Sequence, residues 1–82
     1  KKKYREAIQL FQEAIQTDSG YFIAKTNLAS TLALIGRTDE ALSALMRAHE
    51  LNPSLTIKKM KTDKDYDRIR HTAVFKSLLE DE

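Results

Sequence analysis

The stretch Phe22 to Leu55 decides the fold and reads FIAKTNLASTLALIGRTDEALSALMRAHELNPSL. Alanine and leucine recur at three- and four-residue spacing on both sides of Gly36, which predicts two helices that each bury one face. Gly36 is expected to end the first helix and Thr38 to cap the start of the second. Because a residue before proline avoids the helical conformation, Asn52-Pro53 closes the second helix. The stretch therefore predicts a helical hairpin.

The residues before this hairpin repeat its second helix. When the chain is shifted by 34 positions, Glu6-Ala7 falls on Glu40-Ala41 and Ala14 falls on Ala48. Both copies present a small, a large and again a small residue on one helix face, and alanines let two helix backbones approach closely. A fixed interval of this kind predicts stacked helical hairpins. The first helix is expected to end with Gly20 as its C-cap.

Residues 22–55 resemble a complete tetratricopeptide repeat. Residues 1–19 resemble the second helix of a preceding repeat, and residues 56–82 resemble the capping segment that ends many such arrays. Two departures occur: Lys25 stands at the fourth position, where the family favours an aromatic residue, and Leu32 stands at the eleventh, where it favours tyrosine. The positions that match the family pattern are Leu28, Ala29, Gly36, Ala41, Leu45, Ala48 and Pro53.

The predicted fold is all-α: antiparallel helical hairpins of a tetratricopeptide solenoid, closed by a C-terminal helical cap, in one domain over residues 1–82. The last repeat of a solenoid exposes an apolar face that needs a cap with a polar outside. In this cap Thr72 is the expected N-cap of the last helix. Tyr66 and Ile69 are expected to make a tight turn within the cap. The apolar residues expected to cover the face and seal the end are Leu55, Ile57, Met60, Phe75, Leu78 and Leu79.

Composition excludes several classes of protein. The chain has 82 residues and no cysteine, so it carries no disulfide framework and no thiolate metal site. Its 14 basic and 12 acidic residues give a net charge of +2, far from the one-sided excess of a nucleic-acid-binding domain. The basic clusters Lys1-Lys2-Lys3 and Lys58-Lys59-x-Lys61 are read as solvated surface. No apolar run approaches the roughly 20 residues of a membrane span.

No catalytic, metal or cofactor site is predicted, and the chain is not expected to be an enzyme. Asp63, Asp65 and Asp67 match the first ligand positions of a calcium loop, but the loop also needs a glycine and a closing glutamate that the sequence lacks. His49-Glu50 begins like a zinc-protease helix, yet Pro53 occupies the place of the second histidine. His49 is instead expected to be a partly exposed helical residue.

The resemblance implies a protein–protein interaction module that presents a helical groove to a protein or peptide partner. Asn27 is the best single candidate, because its amide can both donate to and accept from a peptide backbone. The groove positions carry no Lys or Arg, so the carboxylate clamp of the chaperone-binding members is not expected. Carried over to this chain, the groove positions are Ile23, Thr26, Asn27, Ser30, Ala33 and Leu34.

Two alternatives remain open at this point. The chain could be a purely structural end cap of a longer array or of a multidomain enzyme, or it could self-associate through its first helix. The second alternative follows from the stripe Ile8, Phe11 and Ile15, which has lost its hairpin partner, so either further chain before Lys1 or a second copy is expected to cover it. Since no targeting signal is present in the sequence, the cytoplasm is the expected compartment.

Overall fold

The computed structural model describes residues 3–18 and 20–80, and the order of their helices matches the predicted one. No β-strand occurs among these residues, which confirms the all-α fold class. The helices are α1 (Tyr4–Thr17), α2 (Phe22–Leu34), α3 (Thr38–Leu51), α4 (Pro53–Thr62), a 3-10 helix (Lys64–Ile69) and α5 (Ala73–Leu79).

The helix ends follow local backbone chemistry, with two corrections. Gly36 takes a φ of 82° after α2, a left-handed conformation that glycine adopts without strain. The N-cap of α3 is Arg37 and not Thr38, and the Arg37 guanidinium forms hydrogen bonds of 2.6 and 2.9 Å with the Glu40 carboxylate. The C-cap of α1 is Asp18 and not Gly20, whose amide donates to the Asp18 carboxylate at 3.0 Å.

The junction between α3 and α4 is built by two residues. Asn52 ends α3 as predicted and at the same time caps α4, because its side-chain oxygen accepts a hydrogen bond from the Leu55 amide at 3.1 Å. Pro53 is the first residue of α4, where its missing N–H costs no helical hydrogen bond. The next helix therefore begins directly after α3 ends.

Helix α2 is the centre of the molecule. It packs against α1, α3 and the 3-10 helix, so most of its side chains are buried. The predicted stripe of α1 lies on the core side: Ile8 is buried, and Phe11 and Ile15 are partly buried against the core. On the outer side of α1, Leu10 is 64% exposed.

The C-terminal segment, defined here as residues 63–80, folds back onto α2 and α3. Tyr66, Ile69 and Phe75 are fully buried in the core. Thr72 caps α5 as predicted, with its hydroxyl accepting from the Phe75 amide at 3.2 Å. Leu55, in contrast, is 44% exposed and does not cover the core as expected. The buried side of α4 is the one that carries Ile57 and Met60.

Arg70 holds the C-terminal segment together. Its guanidinium donates to the carbonyls of Met60 and Asp63 at the end of α4 and to the Asp67 carboxylate at 2.7 Å. The same group lies 5.6 Å from the centre of the Phe75 ring. One side chain thus donates to two carbonyls at the junction of α4 and the 3-10 helix and also packs on the buried ring.

Candidate functional site

Four of the six predicted groove residues form one continuous stripe on α2. Ile23, Asn27, Ser30 and Leu34 are spaced by three or four positions, which places them on one side of a helix that turns about 100° per residue. Ile23 is 49% exposed, Asn27 is exposed, and Ser30 and Leu34 are half-buried. These four residues are called the α2 strip below, and they are the part of the predicted groove that reaches the surface.

The other two predicted groove residues, Thr26 and Ala33, are buried. The hydroxyl of Tyr66 donates a hydrogen bond to the Thr26 carbonyl at 3.2 Å, which brings the 3-10 helix against this side of α2. The Thr26 hydroxyl is itself used within α2, where it donates to the Ile23 carbonyl at 3.0 Å. The C-terminal segment therefore narrows the accessible face of α2 to the α2 strip.

Tyr66 is held as a neutral phenol. Burial raises its pKa to about 12, and the nearby carboxylates of Asp63 and Asp65 act in the same direction. A hydrogen bond with the Ser30 side chain acts in the opposite direction and offsets part of the rise. Ser30 belongs to the α2 strip, so the buried Tyr66 phenol lies directly next to the strip.

A second concave feature lies between α1, α2 and α3. It encloses about 580 Å³ and is called the interhelix cavity here. Its α2 residues project from the side of the helix opposite the α2 strip, as the helical angle of about 100° per residue requires. The lining residues are Gln12, Ile15, Gln16, Lys25, Leu28, Leu32, Asp39, Glu40, Ser43, Ala44 and Arg47.

Lys25 is the unusual residue of this cavity. It is only 8% exposed, and no ion pair or hydrogen bond joins its side chain to any residue in 3–18 or 20–80. It also lines a smaller neighbouring cavity of about 500 Å³, together with Arg47. Sequence reasoning did not assign Lys25 to a site, although its presence at an expected aromatic position was a visible signal.

A sequence model described as tetratricopeptide repeat matches residues 1–68. The chain belongs to the tetratricopeptide repeat family. Searches of curated proteins and of solved structures found no significant match. Membership supports a general role as a scaffold for protein partners and points away from catalysis. The two departures of this tetratricopeptide chain from the family pattern, Lys25 and Leu32, both line the interhelix cavity.

The candidate metal ligands of this tetratricopeptide chain have other contacts. Asp63 accepts a hydrogen bond from the Asp65 amide at 2.9 Å, and Asp67 pairs with Arg70. Partial burial, followed by the charges of its two neighbours, raises the pKa of Asp65. His49 is buried, so the expected partial exposure is wrong. Among the described residues, no group of three or more His, Asp or Glu side chains is placed to hold a metal ion.

The remaining charged clusters lie at the surface or outside the described residues. Lys58 on α4 is exposed and Lys59 is half-buried. Of the cluster Lys1-Lys2-Lys3, the first two residues lie outside the described part of the chain. None of the helices that the structure describes is long and apolar enough to cross a membrane.

Proposed function

We propose that this tetratricopeptide chain is a protein-binding module that receives a short segment of a partner along the α2 strip. The observation that carries the proposal is the exposure of Ile23 and Asn27 on a helix whose other sides are packed. A buried helix is a rigid support, so a partner that binds to its free side meets a preformed surface.

The chemistry of the α2 strip specifies the kind of segment. Ile23 and Leu34 place an apolar contact at each end, and the amide of Asn27 can donate to and accept from a peptide backbone. The twelve residues from Ile23 to Leu34 span about 16 Å along the helix, which corresponds to about five residues of extended chain. The strip carries no charged side chain, so an uncharged segment with apolar ends fits it best.

The experiment is a selection of random displayed peptides on the whole chain, followed by mapping of the selected peptides through backbone amide chemical shifts. We expect the largest shifts at the α2 strip. Ile23→Ala and Asn27→Ala should each weaken binding by about fivefold or more, as expected for residues that make the main contacts of a small interface.

The matched control is Met46→Ala on α3. Met46 is 46% exposed and Ile23 is 49% exposed, so the two substitutions remove similar apolar area from the surface. We expect Met46→Ala to leave the affinity unchanged. Selected peptides that are insensitive to both α2 substitutions, or that shift only amides distant from α2, would contradict the assignment.

A structural role is the second candidate function. It is favoured by the C-terminal segment, which buries Tyr66, Ile69 and Phe75 and covers one side of the helices. In this role the chain would close a longer array, or would associate with a second copy through α1, where Leu10 is exposed. Light scattering tests the association through α1. A mass that rises with protein concentration, and that returns to the monomer value in Leu10→Ser, supports it. A constant monomer mass contradicts it.

A further inference from the structure

We propose that the interhelix cavity is a second binding site, which takes an acidic side chain next to a large apolar one from a protein partner. This site lies on the side of α2 opposite the α2 strip and is independent of it. The proposal goes beyond a general binding role because it names a separate surface and the chemistry of the segment that it accepts.

The volume and the apolar lining of the interhelix cavity favour a side chain as its occupant. Its volume of about 580 Å³ is within the range of about 300–1,000 Å³ that is typical of small-ligand sites. Ile15, Leu28, Leu32 and Ala44 line it with apolar surface contributed by three helices. A leucine or an aromatic ring occupies part of such a space and leaves room for the acidic side chain beside it, whereas a whole helix of about 10 Å diameter does not fit.

The charge at one end of the cavity favours an acidic group. Lys25 is 8% exposed, and its side chain has no ion-pair or hydrogen-bond partner among the described residues. The Lys25 nitrogen is not among the fully buried, unpartnered side-chain atoms of the described residues, so it reaches the opening of the cavity. A carboxylate placed there would supply a charge-assisted hydrogen bond. Arg47 lines the same cavity and likewise has no ion pair within the described chain, so two cations face one opening.

The opposite end of the cavity is acidic, which gives the site a direction. Asp39 and Glu40 lie there, and Glu40 is already paired with Arg37 at 2.6 Å. Arg47 lies seven residues after Glu40, so the two ends are separated by about 10 Å along α3. An acidic side chain is therefore attracted to the Lys25 end and repelled from the Asp39 end, which orients the partner segment.

The probes are three synthetic peptides that are acetylated and amidated at their ends and identical except at two central positions. The two central residues are Asp-Phe in the first peptide, Asn-Phe in the second and Asp-Ala in the third. Each is titrated into the whole chain while backbone amide shifts are recorded. We expect the Asp-Phe peptide to shift amides around Lys25, Ala44 and Arg47, and to bind about 10- to 100-fold more tightly than the Asn-Phe peptide. The Asp-Ala peptide should also bind more weakly, because it leaves the apolar floor uncovered.

Substitutions test whether the Lys25 side chain binds the carboxylate of the peptide. In Lys25→Gln the Asp-Phe peptide should lose the same 10- to 100-fold, and the preference for Asp over Asn should disappear, since the two changes remove the same interaction. The control is Lys58→Gln, which removes an exposed lysine of α4 and should change neither affinity. If Lys25→Gln does not fold, Arg47→Gln and Ser43→Leu, both at exposed positions on the cavity wall, are the replacement variants and should each weaken the Asp-Phe peptide.

Several results would overturn the proposal. These are equal affinities of the Asp-Phe and Asn-Phe peptides, an unchanged Asp preference in the Lys25 and Arg47 variants, or no shift at the cavity at millimolar peptide. Phosphatidylserine vesicles form the comparison arm: if they bind through Lys25 and the peptides do not, the anion is a lipid and the protein-partner proposal is wrong. If Ile23→Ala weakens only the displayed peptides selected for the α2 strip, and the Asp-Phe peptide keeps its affinity, the two sites are independent as proposed.

Discussion

Replacing Phe75 by alanine removes the ring on which the C-terminal segment is anchored. The ring is fully buried, its centre lies 6.2 Å from that of Tyr66 with a 54° angle between planes, and the Arg70 guanidinium lies 5.6 Å away. Truncation of a buried phenylalanine costs about 3–5 kcal/mol. An 82-residue domain has a total stability of about 4–12 kcal/mol, so the variant should lose at least about a quarter of its stability.

Urea unfolding followed by far-ultraviolet circular dichroism measures this loss. With a urea dependence of about 1 kcal/mol per molar for a domain of this size, the midpoint should fall by about 3 M or the transition should vanish. Two controls bracket the effect. Val74→Ala, at a neighbouring residue that is 39% exposed, should cost less than about 1 kcal/mol, and Phe75→Leu should cost less than Phe75→Ala because it leaves a smaller cavity. A loss below about 0.5 kcal/mol for Phe75→Ala would refute the packed position of the C-terminal segment.

Three further predictions follow from single residues. Gly36→Ala forces a side chain into a left-handed backbone and should lower the free energy of unfolding by about 1–2 kcal/mol, while Gly20→Ala, at a position without that φ, should change it by less than about 0.5 kcal/mol; urea midpoints decide. Arg70→Ala should cost about 1–3 kcal/mol, and Arg70→Lys should restore less than half of that, since an ammonium cannot reach several acceptors at once; equal stability of Arg70→Lys and the natural chain would be contrary. Because the pKa of Tyr66 is raised to about 12, its contribution to stability is complete below the unfolded value of about 10 and falls by up to about 3 kcal/mol as the pH rises from 10 to 12. Tyr66→Phe should remove this part of the pH dependence, and a pH profile identical in both proteins would count against it.

Local chemistry accounts for the part of the fold that the sequence predicted. Gly36 and Asn52-Pro53 act on their own backbone, so the ends of α2 and α3 were predictable from three residues. Thr72 was predictable as a cap for the same reason, because a hydroxyl before a helix meets an amide three positions later.

The burial of particular side chains was not predictable in this way. Spacing identifies which residues share a helix face, but it does not say which distant segment covers that face. Thr26 was placed in an open groove because its cover, Tyr66, lies 40 positions later in the chain. Lys25 was read as a tolerated departure, and only the arrangement of three helices shows that its side chain is enclosed. The family resemblance supplied the six groove positions, and the tertiary structure shows that four of them reach the surface.

The contact between Tyr66 and α2 also constrains the order in which the chain can fold. In a solenoid each unit packs on its neighbours, and the C-terminal segment is the neighbour that follows the hairpin of α2 and α3. Here the hydrogen bond from Tyr66 to Thr26 closes a loop of 40 residues, whose entropic cost must be met before the contact is gained. On the ribosome, α2 and α3 would remain incompletely covered until Phe75 has emerged. Folding of this chain is thus expected to be one late, cooperative event, and a nascent chain that stops short of Phe75 would expose the side of α2 that the finished protein hides.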